Sequence, residues 1–316
     1  MYKRLKVDRP RIKKKLFPRI KKNFLRLIGG FIDGSIYFSH KRGKKSKARG
    51  FSRIKNIVNF LEKRERFTLQ TIILTAGVLT SQLIWTDFRF HMVILLAVAS
   101  YILSTWSLKE DIKKIEWLLL FILPVLFTAS LSLFYFLLPP RWIIRLTTTA
   151  FFAVGTYAIL LVENIYNVAV QRSIQLLRAA QSVGLLLTLA VIFLSANVIF
   201  SLKLPFILNF LLMFTVSFFL ALQSLWSIKL QKKLSAELLI YSLTVGIGIG
   251  ELALVLSFWP IENASFSLLL SASYYALIGI IQQYMAERLF LNVIREYIIV
   301  FVFTFILTFL TTRWGG

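Results

Sequence analysis

Residues 179–227 read AAQSVGLLLTLAVIFLSANVIFSLKLPFILNFLLMFTVSFFLALQSLWS, and Lys203 is the only charged residue among them. Pro205 follows two residues later, and proline is favoured at the start of a helix. Each half of the stretch has close to the ~20 apolar residues that an α-helix needs to cross the hydrocarbon layer. The stretch therefore predicts two membrane-spanning helices, at 179–201 and 205–227, joined by a short connection.

Further apolar runs of similar length occupy the rest of the sequence beyond residue 66. They are residues 67–86, 90–107, 117–138, 142–162, 238–258, 264–284 and 297–312. The whole chain is 57% hydrophobic with a mean hydropathy of +0.72, above the roughly 45–50% apolar content of soluble domains. We therefore expect an all-α fold, a polytopic transmembrane helical bundle of about nine spans.

The charges are concentrated before the first span. Residues 1–66 carry 23 Lys/Arg and four Asp/Glu, a net charge of +19, whereas residues 67–316 carry +5. Basic residues mark the cytoplasmic side of membrane proteins, so we expect the N-terminus inside. We expect a basic cytoplasmic tail, 1–66, and a transmembrane helical domain, 67–316. No cleavable signal peptide is recognised, so the first span is expected to be an uncleaved anchor, in a bacterial cell within the cytoplasmic membrane.

The tail combines an amphipathic segment with a dense cationic one. Residues 51–65 predict a basic helix lying on the bilayer, because Ile54, Ile57, Val58 and Leu61 share one face. Anionic lipid headgroups are its expected partner, at about 1 kcal/mol per basic residue near the surface. RNA, bound through phosphate neutralisation, and an acidic protein partner are the alternatives. The cationic residues expected to make these contacts are Lys41, Arg42, Lys44, Lys45, Lys47 and Arg49.

Glu251 stands inside the seventh predicted span. A charged side chain at the centre of a spanning helix costs roughly 2.5–3.5 kcal/mol on insertion scales, so we expect Glu251 to face protein, water or a cation. Arg145 is its expected partner, and Asn197 and Asn209 are expected to complete an intramembrane polar group. Three roles stay open for this group: a structural clasp between helices, a proton- or cation-coupled transport site, and a catalytic acid.

The same span carries Gly246 and Gly250, four residues apart. Small residues at this spacing form a helix face that lets a second helix approach closely. We therefore expect tight helix packing at these two glycines.

A narrow polar stripe lies between the fourth and fifth predicted spans. At ~100° per residue its members fall within about an 80° arc, and no glycine or proline interrupts residues 156–183. We expect a juxtamembrane helix with its polar face toward the cytoplasm. The alternative is a water-filled inner vestibule that the stripe lines together with Glu163, Gln223, Gln282 and Gln283. The stripe consists of Asn164, Asn167, Gln171, Gln175 and Arg178.

Motifs for known chemistry are missing from the sequence. It has no cysteine, which excludes disulfides, thiolate metal sites and cysteine nucleophiles. Neither His40 nor His91 has a nucleophile and an orienting carboxylate beside it, and no His-Glu-x-x-His or Gly-x-Ser-x-Gly pattern occurs. We therefore expect no metal and no cofactor, and the sequence disfavours an enzyme without excluding one. Two function classes remain: a transporter or channel-like protein, and a non-catalytic membrane scaffold or assembly protein. A lipid-modifying enzyme is a third and weaker alternative.

Overall fold

A computed structural model describes residues 63–81, 89–108, 116–139, 141–170, 175–231 and 234–312. Over these ranges the chain forms nine α-helices and no strands, which confirms the predicted all-α bundle. The tail residues 1–62, including the cationic segment from Lys41 to Arg49, lie outside the described residues. The helices are α1 (Lys63–Ser81), α2 (Arg89–Leu108), α3 (Glu116–Leu137), α4 (Trp142–Ala169), α5 (Leu177–Ser201), α6 (Phe206–Lys229), α7 (Ala236–Leu256), α8 (Asn263–Met285) and α9 (Leu291–Thr311).

Eight of the described helices, α2 to α9, are long and apolar enough to cross a membrane. The chain is thus an integral membrane protein. The helix α1 differs because its first turn contains Lys63, Arg64, Glu65 and Arg66, which leave too short an apolar stretch in its described part. The predicted span 67–86 runs beyond Ser81 into residues that the structure does not describe. Two helices exceed their predicted spans by more than two residues: α4 continues to Ala169, and α9 begins at Leu291.

Side-chain contacts show that the consecutive helices from α4 to α9 run antiparallel. Near one end of the bundle, Tyr166 of α4 donates to the carbonyl oxygen of Ala180 in α5. There Lys229 of α6 also pairs with Glu237 of α7 at 3.5 Å. This end, formed by the last turns of α4, α6 and α8 and the first turns of α5, α7 and α9, is called the basic end below. Its described cations are Arg178, Lys229, Arg288 and Arg295.

The centre of the bundle is α5, which packs against α3, α4, α6 and α8. The helix α9 is the least buried of the eight spans and packs mainly against α8. The most extensive contact among the described helices joins α6 to α7. The helices α5 and α9 therefore differ in their surroundings: α5 contacts four other helices, whereas α9 presents most of its surface to the lipid.

The α6–α7 contact forms at glycines. A Cβ atom on Gly246 would lie 3.0 Å from the Cβ of Phe218, and one on Gly250 would lie 3.1 Å from the Cβ of Phe214. Gly248, on another face of α7, is different, because a Cβ there would meet only the end of Leu277, at 3.5 Å. The absence of side chains at positions 246 and 250 thus sets the close approach of the two helices.

We predict that Gly246→Ala combined with Gly250→Ala destabilises the protein by about 1–3 kcal/mol, because the added methyl groups overpack the contact with α6. Thermal unfolding of the purified protein in detergent measures the effect. Gly248→Ala is the matched control and should change stability by less than about 0.5 kcal/mol. Equal losses in the double variant and the control would contradict this account of the packing.

Candidate functional site

The structure does not bring the predicted intramembrane polar residues together. Glu251 lies on the exposed surface of α7, because the buried stripe of that helix runs through Gly246, Gly250 and Ala253 and turns away from residue 251. Within the described ranges its carboxylate makes no ion pair, so the expected pair with Arg145 is not formed. The Arg145 guanidinium instead lies 5.5 Å from the centre of the Trp142 ring on its own helix.

No hydrogen bond joins the two asparagines in the part of the chain that the structure describes. Asn209 is buried near the start of α6, and its Nδ2 donates to the Ser257 hydroxyl at 3.0 Å, which links α6 to the end of α7. Asn197 is half-buried on α5, where its backbone carbonyl accepts a hydrogen bond from Ser201. Both residues belong to the end of the bundle opposite the basic end, and Asn209 makes a contact between helices.

The predicted polar stripe is divided between two environments. Asn167 is buried inside the bundle and Asn164 is half-buried, whereas Gln175 and Arg178 are exposed. The reason is that α4 ends at Ala169 and α5 begins at Leu177, so the stripe does not continue along one described helix. Gln171 lies outside the described residues. A single juxtamembrane helix with one cytoplasmic face is therefore wrong for the described part of this segment.

A buried carboxylate lies six residues before the end of α4. Glu163, Asn167 and Gln223 are 0%, 1% and 3% exposed, respectively, and are called the Glu163 cluster below. Gln223 of α6 donates through Nε2 to Glu163 Oε1. Four other buried atoms of the cluster have no hydrogen-bond partner among the described residues: Glu163 Oε2, both polar atoms of the Asn167 amide, and Gln223 Oε1.

The Glu163 cluster adjoins a layer of hydrogen bonds that crosses the bundle. Gln181 of α5 donates to the carbonyl oxygen of Ser227 at 2.8 Å, and Gln282 of α8 donates to the Ser224 hydroxyl at 2.8 Å. Both acceptors belong to α6, one and four residues beyond Gln223. Side chains from four helices, α4, α5, α6 and α8, therefore converge on one polar region at the basic end.

A cavity of about 650 Å³ opens beside this region, between α5, α6, α8 and α9. This basic cavity has three cations in its wall, Arg178, Lys229 and Arg288, and also contains Gln181 and Gln282. The vestibule that the sequence suggested as an alternative thus divides into two parts. Of its expected members, Arg178, Gln282 and Gln283 line the cavity, whereas Glu163 and Gln223 lie buried and outside its lining.

The Glu163 cluster offers oxygen atoms of the kind that bind hard cations. A carboxylate oxygen and the amide oxygens of Asn167 and Gln223 are free of protein partners there. The carboxylate can take up a proton, and carboxylate and amide oxygens bind group 1 and group 2 cations in preference to soft metals. The described residues contain no group of three or more His, Cys, Asp or Glu able to hold a metal ion. The arrangement can therefore take up a proton or a small monovalent cation.

We predict that Glu163→Ala and Gln223→Ala are coupled in stability. Each single variant should lose about 1–3 kcal/mol, because it leaves a buried polar partner without its hydrogen bond. The double variant should fall short of the sum by at least about 0.5 kcal/mol. Unfolding of the four proteins in the same detergent measures the coupling.

Glu251→Ala is the control for removing a carboxylate from the same apolar domain and should leave stability within about 0.5 kcal/mol of the original protein. Additive losses at positions 163 and 223 would show that the two side chains do not support each other.

Comparison with known proteins identifies a family. The model of the family described as "Protein of unknown function (DUF5656)" matches residues 67–311, from the second turn of α1 to the last residue of α9. Comparisons with curated proteins and with solved structures gave no match. Since the match spans well over half of the chain, the protein belongs to this family of unknown function.

Proposed function

We propose that this integral membrane protein is a transporter whose substrate movement is coupled to a proton or monovalent cation bound at the Glu163 cluster. The observation that carries the proposal is a fully buried carboxylate, inside a membrane-crossing bundle, with an oxygen that has no hydrogen-bond partner among the described residues. Ionisable groups at such positions are costly and are typical of ion pathways and proton relays.

A polar cluster that only holds helices together would have more of its buried polar atoms hydrogen-bonded. Buried polar groups that hold helices together are normally hydrogen-bonded to each other, because each unsatisfied group costs about 1–3 kcal/mol. The pair of Asn209 and Ser257 at the opposite end approaches this pattern, with one donated hydrogen bond and one unpartnered oxygen. The Glu163 cluster has four unpartnered atoms on three side chains. Three of these atoms are oxygens, Glu163 Oε2, Asn167 Oδ1 and Gln223 Oε1, and they support a site that is completed by a cation.

The hydrogen-bonded layer beside the Glu163 cluster supports the same proposal by providing a polar approach. Gln181 and Gln282 hydrogen-bond to α6 within about one turn of Gln223. A proton that enters from the basic end would meet these polar side chains before Glu163, whereas the three cations in the wall of the basic cavity oppose the entry of a metal cation by that route. With the N-terminus inside, as the distribution of charge favours, this approach starts from the cytoplasm. The bacterial cytoplasmic membrane remains the proposed location.

The second candidate function is a non-catalytic scaffold or assembly protein. The net charge of +19 on residues 1–66 favours it, because such a tail can hold anionic lipid, RNA or an acidic protein. The exposed surface of α9 also leaves room for neighbours in the membrane. In this case Glu163 would have no role in ion movement. The effect of a Glu163 substitution on ion flux therefore distinguishes the two candidate functions.

Ion flux in proteoliposomes tests the transporter. The full chain is reconstituted in vesicles that contain a pH-sensitive dye for the proton arm or a sodium-sensitive dye for the sodium arm, and a membrane potential is imposed with potassium and valinomycin. We expect proton or sodium flux above that of empty vesicles, and at least about a tenfold loss in Glu163→Gln, the magnitude typical of removing one essential proton-transfer or charged group. Glutamine keeps the size of the side chain and its acceptor oxygen for Gln223.

Glu251→Gln is the matched control, since it removes a carboxylate that lies on the exposed surface of the bundle. It should keep the flux of the original protein. Flux that Glu163→Gln leaves unchanged would overturn the assignment of the site. Absence of flux from the original protein in both the proton and the sodium arms would overturn the transporter and favour the scaffold.

A further inference from the structure

We infer that the basic cavity binds the phosphate group of an anionic membrane lipid. This inference is independent of ion transport, because it depends on residues that line the cavity and not on Glu163. Its evidence is the charge of the cavity wall, the position of the cavity at the ends of the spanning helices, and the open side that α9 leaves toward the bilayer.

The cavity wall is positively charged without compensation from within. Arg178, Lys229 and Arg288 line it, and no Asp or Glu does. In the described part of the chain neither guanidinium group has an acidic partner, and Lys229 reaches Glu237 at 3.5 Å while both side chains are more than one third exposed. An exposed pair of this kind is weak, so Lys229 can exchange Glu237 for another anion. Arginine side chains bind phosphate through two parallel hydrogen bonds.

The cavity lies at the depth of lipid headgroups. Arg178 is the second residue of α5, Lys229 is the last residue of α6, and Arg288 follows α8 by three residues. All three cations are therefore placed where spanning helices leave the hydrocarbon layer. Basic pockets between transmembrane helices at this level are typical sites for acidic headgroups.

The rest of the wall suits the glycerol and upper acyl chains of a lipid. Leu177, Leu185, Ile228 and Met285 provide apolar surface in the same cavity. A small soluble anion such as inorganic phosphate would leave this surface uncovered. The volume of about 650 Å³ lies within the roughly 300–1,000 Å³ of ordinary ligand sites.

The helix α9 leaves a lateral entrance. It packs mainly against α8, and the rings of Tyr275 and Tyr297, 5.0 Å apart, mark the contact beside the cavity. Tyr297 can pack this closely because Gly279 of α8 has no side chain in its way. Since α9 makes no extensive contact with α5 or α6, the side of the cavity between these helices faces the membrane, from which a lipid enters.

Native mass spectrometry of the full-length protein tests this inference. The protein is delipidated in detergent and titrated separately with phosphatidylglycerol, phosphatidylcholine and inorganic phosphate. We expect phosphatidylglycerol to remain bound, phosphatidylcholine to bind at least about tenfold more weakly, and inorganic phosphate not to compete at millimolar concentration. Equal binding of the two lipids would overturn the inference, and so would inorganic phosphate that displaces phosphatidylglycerol.

Two double variants of equal charge locate the site. Arg178→Gln with Arg288→Gln removes two cations from the cavity, whereas Lys203→Gln with Arg295→Gln removes two exposed cations that do not line it. The first should weaken phosphatidylglycerol binding at least about tenfold, and the second less than about twofold. Both double variants keep the basic tail, so any attraction of the tail for acidic lipid contributes equally to the two binding measurements. Equal losses would mean non-specific adhesion and would overturn the site.

Arg178→Lys with Arg288→Lys shows whether charge or geometry matters. Lysine keeps the charge but cannot bind a phosphate with two parallel hydrogen bonds, so binding should fall between the original protein and the glutamine variant. Elution of each variant as a single species on size exclusion verifies that it is folded. If the folded lysine variant binds phosphatidylglycerol as weakly as the glutamine variant, the positive charge at these two positions does not contribute to binding.

Discussion

Helices surrounded by hydrocarbon gain little by burying one leucine against another, because lipid is already as apolar as the protein core. Their association depends instead on close packing and on hydrogen bonds between helices. In this protein Gln70 of α1 donates to Ser104 of α2, and the hydroxyls of Ser130 in α3 and Ser195 in α5 lie 2.7 Å apart. Asn263 of α8 donates to Ser201 of α5. Such single polar contacts recur between neighbouring helices, and the order of the bundle depends on them.

This constraint explains what could be predicted from the sequence. Apolar runs bounded by charges and prolines report the depth of each residue in the membrane, and most predicted spans agree with helices to within two residues. Depth alone does not tell which way a side chain points. Glu251 was singled out for its depth, yet it lies on the exposed face of α7, one residue past Gly250 of the buried stripe. The direction follows from the buried stripe of the whole helix, which includes Val245, Ile249 and Ala253.

Glu163 shows the opposite error. The fourth predicted span ended at residue 162, so Glu163 was considered only as part of an alternative vestibule. In the structure α4 continues to Ala169, and the Glu163 side chain is fully buried. A signal was present: Glu163 and Asn167 are four residues apart in a segment without glycine or proline, which puts both on one helix face. Gln223, the hydrogen-bond partner of Glu163, lies 60 residues away. Without the arrangement of the helices, the sequence could not show that these side chains meet.

The glycine contact between α6 and α7 has a consequence for motion. The rings of Phe210, Phe214 and Phe218 stack along α6 beside Gly246 and Gly250, so the two helices interlock over most of their length. They are expected to shift as one rigid hairpin, since separating them would uncover the interlocked faces. Any sliding of that hairpin past α4 carries Gln223 away from Glu163. The hydrogen bond from Gln223 to Glu163 therefore depends on the position of the hairpin relative to α4.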